Sequence, residues 1–170
     1  MSIAPQYRTG TDRFFAGILD GMVLRLLSVL TNFQIETEWE SLFAGILESF
    51  LAIGYSVFFH YKFGQTLGKM AMKVKVIDAS ETKGITFRQS FLRESVWIFF
   101  TVLAYSYLAI RIATNSDYLA DETQILLALL PVAWFILEIV SMLTNDRRRA
   151  VHDMIAGTVV VKHYPIRVGR

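Results

Sequence analysis

A chain of 170 residues that is 54% hydrophobic, 14% aromatic and only 19% charged carries less charge than a soluble domain, where about a quarter of residues are charged. It has no cysteine, which excludes disulfides, thiolate metal sites and cysteine nucleophiles. The net charge of +2 hides a segregation of sign along the chain, and its length leaves no room for a soluble enzyme beside a membrane domain.

The first twelve residues lack an apolar core and a small-residue cleavage site, so no removable signal peptide is expected and the first helix serves as the insertion signal. That helix is predicted over 14–33, behind Thr11 and Asp12 as N-cap candidates, with Arg13 at its mouth and Asp20 and Arg25 inside. An acidic segment with Glu36, Glu38 and Glu40 separates it from a second apolar run over 39–61, which carries Glu48.

A basic stretch over 62–90 follows, with Lys62, Lys69, Lys73, Lys75, Lys83 and Arg88. Within it, 70–77 alternates apolar and polar residues, as a half-buried strand does. Residues 78–84 supply a turn, and Ile85-Thr86-Phe87 is expected to begin a return strand. A third apolar run covers 91–113 and opens on Arg93 and Glu94. The segment 114–123 is acidic, with Asp117, Asp121 and Glu122. The fourth run covers 124–143, with Pro131 near its middle and Glu138 towards its end. Residues 144–170 are basic again, with Arg147, Arg148 and Arg149 and a further strand expected over 158–162.

Each run is long enough for the roughly 20 residues that a bilayer demands. Basic and acidic connections alternate strictly, and Lys and Arg favour the cytoplasmic side. The expected fold is therefore an all-α membrane protein, one domain over 1–170. It is a four-helix transmembrane bundle with a small cytoplasmic β-hairpin or sheet, a multi-pass inner-membrane chain with both termini in the cytoplasm. Its basic residues follow membrane sidedness, so nucleic-acid binding is not expected; they suit anionic lipid headgroups.

A charge in the middle of a membrane helix costs about 2.5 to 3.5 kcal/mol, so the intramembrane charges must find partners. Arg25 and Glu48 fall at matching depth and form a candidate structural ion pair. Asp20 and Glu138 each lie roughly 10 Å inside their predicted spans and form a candidate ion or proton site for Na+, K+ or H+. Lys69, Arg93 and Arg147 are the candidate basic partners of Asp20, while Asp153 is a partner for Arg13. His60 reads as an interfacial residue. His152 stands beside Asp153, but no serine or cysteine occupies a nucleophile motif. With no metal spacing and no cofactor fingerprint, the chain is not expected to be an enzyme or to hold a metal or cofactor.

Three motifs occur in order: Arg13-Phe14-Phe15-Ala16-Gly17-Ile18-Leu19-Asp20; Phe63-Gly64-Gln65-Thr66-Leu67-Gly68-Lys69 followed by Val74-Lys75-Val76-Ile77-Asp78; and Arg147 to Ala150 with Val151-His152-Asp153-Met154-Ile155-Ala156-Gly157-Thr158. In order, spacing and membrane context the chain resembles the RDD family of bacterial membrane proteins, over roughly residues 6–161. The resemblance implies that Arg13, Asp20 and Asp153 are the residues for which the family is named. That family is usually described with fewer spans, so four rests on the hydropathy map. It also implies a transport role, cation/proton exchange included, for which four short helices would need a homo-oligomer. The alternative is a non-catalytic membrane scaffold or accessory subunit whose buried charges are structural.

Overall fold

A computed structural model describes residues 4–30, 37–114 and 121–163. Glu36 and Asp117 of the acidic connections lie outside the described residues. After a 3-10 turn at Pro5–Tyr7 come α1 (Gly10–Leu30), α2 (Glu38–Phe63), a short α3 (Leu67–Ala71) and β1 (Val74–Asp78). Then follow α4 (Phe87–Thr114), α5 (Asp121–Thr144), a short α6 (Val151–Ala156) and β2 (Thr158–Lys162).

Among the described residues, three helices are long and apolar enough to cross a membrane: Glu38–Phe63, Phe87–Thr114 and Glu122–Thr144. The 26 residues of α2 reach about 39 Å at 1.5 Å per residue, more than the ~30 Å hydrocarbon core. Helix α1 carries Asp12, Arg13, Asp20 and Arg25 within its 21 residues and is not among these three. The long helices leave large apolar side chains outside, among them Leu26, Phe50, Phe99 and Leu126. Surface of that extent needs an apolar solvent or a partner.

The helix ends follow from local chemistry. Thr37 and Glu40 cap α2 reciprocally, the Thr37 hydroxyl accepting from Glu40 N at 3.2 Å and the Glu40 carboxylate from Thr37 N at 3.0 Å. At its far end Gly64 adopts φ 70°, a left-handed conformation that glycine takes without strain. A side chain there would also meet the Val76 carbonyl at 2.8 Å. That closeness lets Val76 N donate to Gly64 O at 2.8 Å, joining α2 to β1.

The sheet differs from the expected hairpin. Strand β1 pairs antiparallel with β2, Val74 opposite Lys162 and Asp78 opposite Thr158. No strand forms at 85–87. There Thr86 caps α4 instead, its hydroxyl accepting from Gln89 N at 3.2 Å while the Gln89 carbonyl oxygen accepts from Thr86 N at 2.9 Å. Thr-x-x-Gln is a capping box, and it starts α4 four residues ahead of the predicted span. Met70 and Ala71, read as strand, close α3. Val74, Val76, Ile85 and Val160 make a buried core with Met72 packed against it.

Candidate functional site

Two polar clusters sit where α1 and α4 meet the short elements. The first is built on Asp153, the third residue of α6, which is wholly buried. One oxygen caps its own helix, accepting from Ala150 N at 3.0 Å, and meets the Arg13 guanidinium of α1 at 2.8 Å. The other accepts from Arg93 of α4. Arg93 Nη1 also donates to the Thr158 hydroxyl at 2.7 Å, reaching β2. Arg13 Nη1 donates to the Arg148 carbonyl at 3.2 Å. Arg149 donates to the Thr158 and Asp153 carbonyls at 2.8 and 3.1 Å. Four elements are thus tied to one carboxylate.

Burial alone would raise the Asp153 carboxyl, but the Arg13 and Arg93 guanidiniums outweigh it and hold the group well below the usual carboxylate range. His152 closes the side of this clamp. Its Nε2 lies 3.1 Å from Arg93 Nη2 and 3.4 Å from Arg13 Nη2. Guanidiniums only donate, so Nε2 carries the lone pair and the network assigns the ring proton to Nδ1. Nδ1 sits 2.6 Å from Glu138 Oε2, a close contact off the line of a hydrogen bond. The other Glu138 oxygen accepts from His152 N at 3.1 Å. Glu138 is thereby bound to α6.

The second cluster is built on Asp20. One oxygen accepts from the Tyr55 hydroxyl at 2.8 Å and from Gly68 N at 2.7 Å; the other accepts from the Thr66 hydroxyl at 2.6 Å. Asp20 thus serves as a remote N-terminal acceptor for α3, whose first amide donors have no partner inside so short a helix. The Tyr55 hydroxyl in turn accepts from Leu67 N at 3.0 Å. Helices α1 and α3 touch so closely that a Cβ on Gly68 would fall 2.1 Å from the Ala16 carbonyl. Only glycine fits there.

None of the anticipated basic partners bonds to Asp20. Arg93 serves Asp153, Arg147 lies 3.7 Å from Glu81 and donates to the Ala79 carbonyl, and Lys69 turns to His60, Nζ to Nε2, at 2.9 Å. Oriented hydroxyls and a helix start replace the cation, because hydrogen bonds to the charged form satisfy a carboxylate as well as an ion pair does.

From Lys69 a chain of contacts runs through His60 and Ser56 Oγ (3.2 Å) to Glu94 (2.5 Å). Ammonium donates and carboxylate accepts, so its direction is fixed from α3 towards α4. Burial, with the Arg93 charge behind it, pushes the Lys69 ammonium down to about 8, against the pull of Asp20. Asp20, Thr66, Lys69 and Glu94 line a cavity of about 320 Å³ between α1, α2 and α4.

Among the described residues, Asp20 and Glu138 share no hydrogen-bond partner. Asp20 lines the cavity beside Lys69, whereas Glu138 lines a groove of about 670 Å³ with Arg8, Arg13 and His152. Arg25 and Glu48 line one open cavity, but no ion pair joins them; Arg25 reaches Ser28 Oγ at 3.5 Å. Residues 25 and 48 lie on exposed helix faces, where nothing compels two charges to meet.

The family model described as RDD family matches residues 7–157, which takes in all four long helices entire and, Thr158 apart, both clusters. The chain belongs to the RDD family. In this RDD protein Arg13 and Asp153 meet directly, and Asp20 secures α3; with the apolar helices, the family marks a membrane protein. A search of curated proteins and a search of solved structures gave no match.

His60, Tyr55, Thr66 and Glu94 were not legible as site residues. The signal for Thr66 and Gly68 lay in Gln-Thr-Leu-Gly, a cap residue ahead of a helix turn. For His60 and Glu94, which lie on separate helices, the sequence offered none.

Proposed function

We propose that this RDD protein is a non-enzymatic scaffold of the inner membrane. In this reading it is multi-pass, with α1 as a fourth crossing beside α2, α4 and α5, and both termini and the sheet are cytoplasmic. Its named residues fasten the sheet and its short helices to the membrane helices. The observation that carries this reading is the saturation of Asp153: both oxygens are taken by α1, α4 and its own helix start. A carboxylate so enclosed has no face for a passing ion.

Transport is the second reading, in which a homo-oligomer moves Na+, K+ or H+ past Asp20 and Glu138. It is favoured by one observation, that each carboxylate borders a cavity, of about 320 and about 670 Å³, with room for water.

Purified protein in liposomes with an internal pH dye separates the two. The scaffold reading expects no flux above empty vesicles under a sodium or potassium gradient, and a lower melting temperature for Asp20→Asn that no ion restores. Cation-driven pH change in wild type that is lost in Asp20→Asn would overturn it. Because the chain has no cysteine, single cysteines at Glu38 and Arg148 can be labelled from one side at a time. Labelling of both from the same side would refute the four-crossing topology.

A further inference from the structure

Between α1, α2 and α4 lies the cavity of about 320 Å³ that Asp20, Lys69 and Glu94 line, at the small end of the roughly 300–1,000 Å³ of ligand sites. Its walls are helix faces. Ser49, Ile53 and Ser56 of α2 and Glu94, Trp97 and Thr101 of α4 recur every three or four residues, the spacing that stacks side chains on one face. A second cavity of about 320 Å³ shares Leu24, Ser49 and Ala52 with it and carries Arg25 and Glu48. The two make one cleft along α1 and α2, with both signs of charge at each end.

Lys69 and Glu94 line the inner end without meeting. Among the described residues no ion pair joins them: His60 and Ser56 stand between, with 2.9 Å from Lys69 Nζ to His60 Nε2 and 2.5 Å from Ser56 Oγ to Glu94. Asp20 stands in for neither, since its oxygens accept from Tyr55, Gly68 and Thr66. An ammonium and a carboxylate are thus held apart across one small cavity. A lone cation would find Lys69 beside it, and a lone anion would find Glu94 and Asp20. A molecule carrying both charges is met at both of its ends.

We propose that this cavity binds a small zwitterion of the amino-acid class, its carboxylate on the Lys69 ammonium, its own ammonium on the Glu94 carboxylate and its side chain against Leu24, Ile53 and Trp97. All five residues line the cavity. The proposal goes beyond the scaffold reading. It asks for binding without passage and leaves the Asp20 and Asp153 bonds in place, so its failure leaves that reading standing. A bound zwitterion satisfies two part-buried charges at once. A site built to bond a polar group rejects the analogue that lacks it, because its own group is then left unpaired.

The test is isothermal titration of the full chain in nanodiscs with leucine, isoamylamine (leucine without its carboxylate) and isocaproate (leucine without its ammonium). Leucine is expected to bind saturably and each analogue at least about tenfold more weakly, the worth of one charge-assisted hydrogen bond. Lys69→Met is expected to weaken leucine about tenfold or more and leave isoamylamine unchanged. Glu94→Gln is expected to weaken leucine as much and leave isocaproate unchanged. The analogues are compared on wild type, so the result holds even where a variant fails to fold. No saturable leucine binding below about 10 mM, either analogue binding as tightly as leucine, or full leucine affinity in folded Lys69→Met or Glu94→Gln would each overturn the proposal.

Discussion

Replacing Asp153 by asparagine keeps the shape of the clamp and removes its charge. The Arg93 and Arg13 side chains are only 3% and 10% exposed, so their guanidiniums would be left buried without a counter-charge. Breaking one partner of a buried pair costs about 3–5 kcal/mol, a large part of the 5–15 kcal/mol that holds a typical domain folded. About 4 kcal/mol corresponds to a thousandfold shift in the unfolding equilibrium. Reversible unfolding in mixed micelles, followed by the fluorescence of Trp39, Trp97 and Trp134 and by circular dichroism, measures it directly.

The acid arm sharpens the test. The folded carboxyl lies well below its ordinary value, so its contribution is fully present above about pH 3.9, the unfolded value. It is lost as the pH falls through the folded one. Wild type is expected to weaken more steeply across that window than Asp153→Asn, in which Asp78, lowered to about 2 by its hydrogen bonds to Ser80 and Gln89, keeps a slope of its own. A cost below about 1 kcal/mol for Asp153→Asn, or the same acid slope in both proteins, would refute the clamp as the fastening of the fold.

Three other outcomes follow from the same contacts. Gly68→Ala places a methyl group 2.1 Å from the Ala16 carbonyl, and forcing α3 off α1 is expected to lower stability by about 1–3 kcal/mol in the same micelle assay. Lys69 has a folded value of about 8 against an ordinary 10.5, so the folded chain releases its proton first and stability rises with pH between those values. The slope is below about 1.4 kcal/mol per pH unit, because the residue is only part-buried and solvent screens it, and Lys69→Met should abolish it in a pH series of melts. Thr86→Ala removes the cap of α4 and is expected to cost about 1 kcal/mol, read as a lower melting temperature with no change in helix content below the transition.

The long helices could be read from the sequence because lipid imposes a simple rule, an unbroken apolar run of fixed length. Helices α2, α4 and α5 contain the predicted runs over 39–61, 91–113 and 124–143 entire. Strand 158–162 was also legible, from the Val159-Val160-Val161 run, and 74–77 of β1 from alternation, although the expected strand began at 70 and gave Asp78 to the turn. Their mutual pairing was not, since nothing local records which distant edge a strand will find. The capping box at Thr86 was present in the sequence and was overridden by the β-propensity of Ile85 and Phe87. For Asp20, energetic reasoning asked for a cation. A carboxylate needs donors of any kind, and a five-residue helix start with two hydroxyls supplied them. Thr66 lies 46 residues from Asp20, beyond the reach of any spacing argument.

Strand β1 is complete at Asp78, yet its partner Thr158 comes 80 residues later, after α4 and α5 have been made. During synthesis β1 therefore waits with an open edge, and an unpaired edge invites association with other chains. A segment made only after α5 closes that edge and carries Asp153 to the waiting Arg13 and Arg93. The sheet is in effect a proofreading seal, set only once the helices between its strands are in place, so chains stalled before β2 should be the ones that quality-control proteases remove.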